Sequence, residues 1–153
     1  MTVIKRGTAR TDRGKADDPL GPYTAELISD TGGLTQFGAF IETLPPGSSS
    51  SYNHWHATED EMILMLSGTV TLIEDDTETT LTEGDAATWA AGTPVGHNLR
   101  NDSRADARYV VIGTRAPQDR VTYPTLDRVL INDRTSNSRR YETLDGKPST
   151  KPG

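Results

Sequence analysis

The three histidines of the chain and one nearby glutamate have the residue types and spacing that could bind a metal ion. His54 and His56 flank Trp55, so an extended backbone places both imidazoles on one face and the indole on the other. Glu61 precedes one apolar run and His97 precedes another segment that looks like a strand. Imidazole nitrogens and a carboxylate are common ligands of divalent transition metals. Such a set, drawn from neighbouring strands, leaves coordination positions open for water or substrate.

The acidic run before the apolar segment leaves a choice of carboxylate ligand. Glu61 fits best, because of its spacing from His56 and its place at the start of a predicted strand. Asp60 satisfies a spacing that is one residue shorter and stays open as an alternative ligand. Glu59 is interpreted as part of a solvated face. A His-x-His pair by itself is only a moderate signal, since isolated histidines are usually structural or exposed.

The elements that must position these side chains are predicted to be short β-strands. Turn residues interrupt the apolar and alternating segments at short intervals, and no stretch shows a convincing helical period. This pattern is typical of an all-β sandwich or barrel. The predicted strands are residues 23–28, 37–44, 62–66, 70–73, 78–81, 85–90, 97–101 and 109–113, and residues 121–123 and 129–131 are predicted to add edge strands or to wrap a neighbouring subunit.

The length of 153 residues fits one domain with polar ends. Hydrophobic residues make up 33% of the chain, which is low for a globular domain and indicates polar segments around a compact centre. We predict an N-terminal arm over residues 1–22, a barrel over 23–115 and a C-terminal extension over 116–153 that packs on the barrel or a dimer partner. The arm and the chain from residue 145 onward are predicted to be loose.

Composition and charge argue against several classes of partner. A formal net charge of −6 is unfavourable for nucleic acid or an acidic membrane. The first fifteen residues are basic, but no aromatic residues are interleaved to stack on bases. The absence of cysteine excludes disulfides and thiolate ligands. With no apolar leader and no apolar run of ~20 residues, we expect a soluble cytoplasmic protein. The early basic residues are Lys5, Arg6, Arg10, Arg13 and Lys15.

Two sequence motifs resemble those of the cupin superfamily. Residues 47–68 read G-x6-H-x-H-x4-E-x6-G, which matches the first cupin motif apart from one extra residue in the opening spacer. Residues 84–101 match the second motif more loosely and end in H-x3-N. Ala90 stands where the family usually has proline, and four residues instead of two separate Gly92 from His97. The insert would lengthen a loop at the mouth of a barrel, and the resemblance covers about residues 35–115.

This resemblance implies a small single-domain bacterial cupin with a double-stranded β-helix, or jelly-roll, barrel that is often dimeric. It also implies that His54, His56, Glu61 and His97 hold one divalent transition metal. Iron, manganese, nickel and zinc all accept such ligands, and the sequence does not choose among them.

Alternation of side chains along the strands predicts the wall of a pocket near the metal. If every second residue faces the metal, Ile63 and Met65 follow Glu61 on that side, and Leu99 follows His97. Such aliphatic side chains are expected in the wall of a small-molecule site. Simple core packing is an equal alternative for each of them. Further candidates for an acidic or oxygenated substrate are Tyr109, Arg100 and Arg104. The predicted substrate-contacting residues are Ile63, Met65, Leu99, Trp89 and Tyr52.

A second apolar row on the same strand indicates a partner subunit. Met62, Leu64 and Leu66 alternate with the pocket-facing positions, so they point away from the metal. That row must be covered by another part of the fold or by a second chain. We therefore expect a homodimer.

The first functional hypothesis is a metal-dependent enzyme that acts on a small oxygenated molecule, such as a sugar derivative or an organic acid. The resemblance supplies this class without distinguishing a dioxygenase, an isomerase or a lyase. The alternative is a non-catalytic cupin that binds a small molecule or acts in regulation. A structural or storage role is disfavoured by the short chain and the intact ligand set. No helix-turn-helix pattern accompanies the barrel, which argues against direct transcriptional control.

Overall fold

Alternating and apolar segments pair as antiparallel strands along residues 2–152, which the computed structural model describes. The only helical segments in that range are α1 (Ile28–Thr31) and a 3₁₀ turn (Pro124–Leu126). The strands are β1 (Arg10–Arg13), β2 (Thr24–Leu27), β3 (Phe37–Leu44), β4 (Trp55–His56), β5 (Glu61–Ser67), β6 (Thr69–Glu74), β7 (Thr77–Thr82), β8 (Ala86–Trp89), β9 (His97–Arg100), β10 (Ala107–Thr114), β11 (Gln118–Tyr123), β12 (Arg128–Asp133), β13 (Ser138–Glu142) and β14 (Pro148–Ser149).

The strands form three sheets in which sequence-distant strands are neighbours. The largest has the order β1-β2-β3-β10-β5-β8, a second has the order β14-β13-β12-β11-β4, and the third is β7-β6-β9. Strand β10 lies between β3 and β5 in this sheet, although six strands separate it from β3 along the chain and four separate it from β5. This arrangement confirms the predicted all-β fold, a double-stranded β-helix of the jelly-roll type.

The hydrophobic core lies between the inner faces of the six-stranded and three-stranded sheets. On β5, Ile63 and Met65 are buried, whereas Leu64 points outward and is 38% exposed. The alternation predicted for this strand is therefore confirmed. On the facing sheet, Val70 and Leu72 of β6 complete the same core cluster.

Both ends of the chain are more ordered than predicted. The N-terminal arm contains β1, which pairs with β2 from Arg13 opposite Thr24 to Arg10 opposite Leu27. The segment predicted to be loose beyond residue 145 contains β14, which pairs with β13. The prediction of loose tails was wrong because an edge strand needs only backbone hydrogen bonds, so its side chains can be polar and exposed.

The C-terminal extension builds a sheet around the histidine pair. The predicted segments 121–123 and 129–131 are the inner parts of β11 and β12, which pair with each other. Strand β11 also pairs with β4, where Val121 lies opposite His56. The extension therefore supports the candidate site within its own chain. Within residues 2–152, no helix is long and apolar enough to cross a membrane.

Candidate metal centre

An antiparallel bridge brings together the first and third histidines. The N–H of His54 donates to the carbonyl of His97 at 3.2 Å, and the N–H of His97 donates to the carbonyl of His54 at 2.9 Å. Opposed residues of such a bridge place their side chains on the same face. The two imidazole centroids lie 5.0 Å apart. The backbone pairing therefore fixes the relative position of two residues that are far apart in the sequence.

The four predicted ligands converge on one carboxylate oxygen. The extended segment at β4 places the His56 ring 5.2 Å from that of His54, between centroids. Glu61 begins β5, opposite Trp89 of β8. Its Oε2 lies 3.8 Å from Nε2 of His54, 3.5 Å from Nε2 of His56 and 3.2 Å from Nε2 of His97. The structure thus brings all four residues together, with the same nitrogen of each imidazole facing Glu61.

The other ring nitrogen of each histidine faces a hydrogen-bond acceptor. Nδ1 of His54 lies 2.8 Å from the carbonyl oxygen of Tyr52, and Nδ1 of His97 lies 3.3 Å from that of Val95. A carbonyl oxygen only accepts, so a metal ion on the Nε2 side would leave the proton on Nδ1 of each ring. The neutral imidazole then keeps its Nε2 lone pair on the side of Glu61, which is the form that binds a metal.

Burial and neighbouring charges set the protonation states of the proposed metal ligands. Burial lowers the pKa of His54 to about 4, although the Glu61 carboxylate opposes this shift. Burial alone would raise the pKa of Glu61, but the hydrogen bond with His97 and the neighbouring imidazoles outweigh it and lower the pKa. Near neutral pH, His54 is therefore an uncharged imidazole and Glu61 is a carboxylate. Such a donor set suits a divalent transition metal.

A buried carboxylate from the C-terminal extension orients His56. Asp119 is 3% exposed, and its Oδ2 lies 2.7 Å from Nδ1 of His56. Its Oδ1 accepts from the N–H and the hydroxyl of Thr58, at 2.9 and 2.8 Å. Burial would raise the pKa of Asp119, but these hydrogen bonds lower it to about 2. Burial likewise opposes protonation of His56, yet the hydrogen bond to Asp119 and the nearby carboxylates raise its pKa.

A cavity of about 190 Å³ is lined by three of the four residues, His54, Glu61 and His97. Of the predicted substrate-contacting residues, Ile63, Leu99 and Trp89 line it. Met65 does not line it and packs in the core instead. Tyr52 lies outside the cavity wall and lines an adjoining cleft of about 750 Å³. The cavity therefore combines apolar side chains with polar groups that can orient a ligand, as is typical of a small-molecule site.

Comparison with known proteins identifies the family. A family model described as a cupin domain matches residues 40–113. A sugar phosphate isomerase of the cupin superfamily from Silicibacter pomeroyi is 34% identical, with a TM-score of 0.79, over 84% of this chain and 80% of its own. The chain belongs to the cupin superfamily.

Other solved cupin-like structures share the fold at lower identity. A protein provisionally named sugar phosphate isomerase from Acidithiobacillus ferrooxidans is 24% identical, with a TM-score of 0.79, over 88% of this chain and 85% of its own. A predicted oxalate decarboxylase from Thermotoga maritima is 18% identical, with a TM-score of 0.63, over 75% of this chain and all of its own. No curated protein matches the chain.

The insert in the second cupin motif is held by a turn on a neighbouring hairpin. The N–H of Gly96 donates to Oδ1 of Asp75 at 3.1 Å, and the N–H of Asp75 donates to the Gly96 carbonyl at 2.9 Å. A Cβ at Gly96 would lie 1.9 Å from Oδ1 of Asn53. Only glycine fits there without rearrangement, and the loop is fixed directly before His97.

The three consecutive acidic residues at the start of β5, Glu59, Asp60 and Glu61, have separate roles in this cupin. Glu61 faces the histidines, whereas Asp60 accepts from the N–H of Ala91 at 2.8 Å. The interpretation of Glu59 as a solvated side chain was wrong. It is 8% exposed, forms an ion pair with Arg134 and accepts from a backbone N–H. Its burial is possible because the C-terminal extension supplies that arginine.

The sequence-based prediction missed two further polar groups at the site. Asp119 lies 63 residues from His56, so local spacing gives no sign of their contact. Glu42 lies on β3 and lines the cavity, within a segment identified only as a strand. A glutamate at an inward position between Phe40 and Leu44 was the available signal. Of the proposed arginines, Arg100 pairs with Asp102 and Glu78 on the exposed surface and not with the cavity.

Proposed function

We propose that this cupin is a metal-dependent enzyme and that its substrate is a small oxygenated molecule of the sugar phosphate class. The observation that carries the proposal is the convergence of three imidazole Nε2 atoms and one carboxylate oxygen beside a cavity that His54, Glu61 and His97 line. The relative from Silicibacter pomeroyi, 34% identical, is described as a sugar phosphate isomerase. An isomerase is therefore the reaction class we favour for this chain.

The distances from Glu61 to the three imidazoles support one metal ion held by His54, His56, Glu61 and His97. Two ligand atoms that lie ~2.1 Å from one ion are roughly 3.0 to 3.4 Å apart at right or tetrahedral angles. The Nε2-to-Oε2 distances of 3.2, 3.5 and 3.8 Å are close to this range. Iron, manganese, nickel and zinc all fit nitrogen and carboxylate ligands. When bound, the ion would supply Lewis acidity that polarises a carbonyl or hydroxyl oxygen.

The surrounding side chains supply binding and the exclusion of water. Ile63, Leu99 and Trp89 form apolar walls, so a bound substrate would displace solvent from the cavity. Ser50 and Asn98 offer hydrogen bonds to hydroxyl groups. The adjoining cleft shares Ser50 and the neighbouring Ser51 with the cavity, which gives room for the remainder of a phosphorylated sugar.

Metal analysis and an activity screen test this function together. Protein purified without added metal should contain about one equivalent of a transition metal, and His54→Ala and His97→Ala should each lose it. Glu61→Gln should weaken metal binding, whereas the matched variant Asp60→Asn should retain the metal. The protein with metal bound is then assayed with ribose 5-phosphate, glucose 6-phosphate and mannose 6-phosphate. Tight binding of these sugars without turnover would favour the alternative, a non-catalytic binding cupin. Equal metal content in all variants would contradict the proposed ligand set.

A further inference from the structure

Glu42 is a buried carboxyl group on the wall of the cavity that three of the proposed ligands, His54, Glu61 and His97, also line. It is 7% exposed and lies on β3, where its register neighbours are Ala25 of β2 and Tyr109 of β10. The side chain lines both the cavity of about 190 Å³ and the adjoining cleft of about 750 Å³. It therefore lies where the two spaces meet, within reach of a molecule that occupies both.

Within the described residues, the carboxyl has one hydrogen-bond partner and no ion-pair partner. The Tyr109 hydroxyl donates to Oε1 of Glu42 at 2.5 Å. No basic side chain within residues 2–152 forms an ion pair with Glu42. Burying a carboxylate without a cation is costly, so such a group contributes little to stability. A buried carboxyl of this kind in a cavity is typical of a functional role.

The surroundings of Glu42 bring its pKa close to neutral pH. Burial raises the pKa of Glu42 to about 7, the hydrogen bond from Tyr109 opposes this shift, and the Glu61 carboxylate adds to it. A group that gains and loses a proton near the working pH is the most effective general acid or base. The other titratable groups around it are Tyr109 on β10, Tyr23 beside β2, and Glu61, His54 and His97 at the cavity wall.

We propose that Glu42 transfers the proton between carbons during isomerisation of an aldose phosphate and that Tyr109 positions it. This inference rests on the proposed function. Among the cavity-lining residues, the carboxyl groups are Glu42 and Glu61, and Glu61 is assigned to the metal. Neither the hydroxyl of Ser50 nor the amide of Asn98 is basic enough to remove a proton from carbon. Glu42 is therefore the group available to do so.

The proposed step balances without an oxidant or a cofactor. The Glu42 carboxylate takes the proton from C2, and the C2–H electron pair forms the C1=C2 bond of an enediol. The carbonyl electron pair moves to O1, and the proton of the O2 hydroxyl passes to O1. The O2 electron pair then forms the new carbonyl, and the C1=C2 pair takes the proton from Glu42 at C1. The net change moves one hydrogen from C2 to C1 and one from O2 to O1.

The test compares the protein with metal bound and three variants in D₂O. Turnover of ribose 5-phosphate, glucose 6-phosphate and mannose 6-phosphate is followed by NMR, which also reports deuterium at the carbon positions. Glu42→Gln keeps the side-chain shape and should lose both turnover and deuterium incorporation by about 10²- to 10⁴-fold, with unchanged metal content. The matched control Glu26→Gln, on the opposite face of the neighbouring strand, should behave like the parent.

Tyr109→Phe distinguishes a positioning role from a structural one. Loss of its hydrogen bond removes an interaction that lowers the pKa of Glu42, so the acidic limb of the pH profile of kcat/KM should move to higher pH. A merely structural role would reduce the amount of folded protein without moving that limb. If Glu42→Gln fails to fold, Glu42→Asp replaces it. That variant keeps a carboxyl group one methylene shorter, and we expect reduced but measurable turnover and exchange.

Three outcomes would overturn the inference, and they are distinguishable. Glu42→Gln with turnover within threefold of the parent would exclude Glu42 while leaving the isomerase function in place. Isomerisation in which both the parent protein and Glu42→Gln carry the C2 hydrogen to C1 without deuterium from solvent would indicate direct hydride transfer that does not use this carboxyl. No turnover of any of the three sugars by the parent protein, with metal bound, would contradict the proposed function and this step together.

Discussion

The indole of Trp89 stacks flat on the imidazole of His97, with ring centroids 3.8 Å apart and an interplanar angle of 7°. Nε1 of the indole donates to Oε1 of Glu74 at 2.8 Å, so the orientation of the indole is itself fixed. The stack holds the plane of the histidine that lies closest to Glu61. Trp89 therefore combines the packing role and the pocket-lining role that the sequence left as alternatives.

We expect Trp89→Ala to weaken metal binding as well as stability. Removing the indole frees the His97 ring to rotate and leaves a cavity, which costs about 3 to 5 kcal/mol for a buried Trp→Ala substitution. Urea unfolding and competition with a chelator measure the two effects. Trp89→Phe is the control, because it keeps an aromatic face while losing the hydrogen bond to Glu74 and part of the ring volume. Unchanged metal affinity in Trp89→Ala would show that the stack does not position His97.

Asp119→Asn should reduce metal affinity about 10- to 100-fold without removing the site. The asparagine carbonyl can still accept from Nδ1 of His56, but the negative charge that makes the imidazole more basic is lost. Chelator competition across pH measures the change. Asp145→Asn, an exposed carboxylate in the C-terminal region, is the matched control and should have parental affinity. Equal affinity for Asp119→Asn and the parent would contradict the orienting role.

The local part of the site was predictable from sequence, and the rest was not. Alternation puts His54 and His56 on one face, and Glu61 and His97 begin strands, so all four carry local signals. Asp119 reaches His56 only because β11 pairs with β4, and this pairing depends on tertiary structure. The same is true of Glu42, whose role depends on the strands beside β3. Local patterns carry side-chain direction but not the identity of distant neighbours.

The strands of the fold likewise divide into those that a local sequence pattern predicts and those that it does not. Phe37–Leu44 was predicted with both of its ends, because apolar content and two prolines define it. Strand β1 was missed because all four of its side chains are exposed and polar, which leaves no alternating pattern to detect. Its pairing with β2 depends on backbone hydrogen bonds, which any residue but proline supplies.

Gly96→Ala should disturb the loop before His97. The added methyl group would overlap Oδ1 of Asn53, so either the loop or that side chain must move. We expect lower stability and weaker metal binding, measured by thermal unfolding and chelator competition. Combining it with Asn53→Ala, which removes the obstructing oxygen, should restore part of both. Gly32→Ala is the control, since a Cβ there meets only ordinary contacts. No rescue in the double variant would indicate another cause.

The predicted homodimer can be tested at the outer face of the six-stranded sheet. Leu64 is 38% exposed there and lies opposite Val110 of β10, which in turn lies opposite Ile41 of β3. This apolar row is what we expect a second copy to cover. Leu64→Glu should convert a dimer to a monomer in sedimentation analysis. Leu144→Glu, at a residue 51% exposed elsewhere, should leave the assembly unchanged. A parent protein that is already monomeric would contradict the prediction.

The raised pKa of Glu42 predicts that the protein loses stability as pH rises. Burial moves this pKa from 4.5 to about 7, so the folded state binds a proton more tightly than the unfolded state does. The contribution of this proton to the free energy of unfolding is fully present below pH 4.5. It decreases between pH 4.5 and about 7 and is absent at higher pH. By linkage, this decrease amounts to about 3 kcal/mol. Glu42→Gln has no such proton to lose.

Urea unfolding at several pH values between 5 and 8 measures this contribution as the difference between Glu42→Gln and the parent. The variant should gain in relative stability as the pH rises to about 7, where the parent comes to bury a charged carboxylate beside Tyr109, and the difference should level off toward pH 8. Glu26→Gln, which removes a carboxylate paired with Arg108, should show the parental dependence in this range. A difference between Glu42→Gln and the parent that does not change with pH would mean that the Glu42 carboxyl is solvated in the folded protein. It would also remove the physical basis for its proposed role in proton transfer.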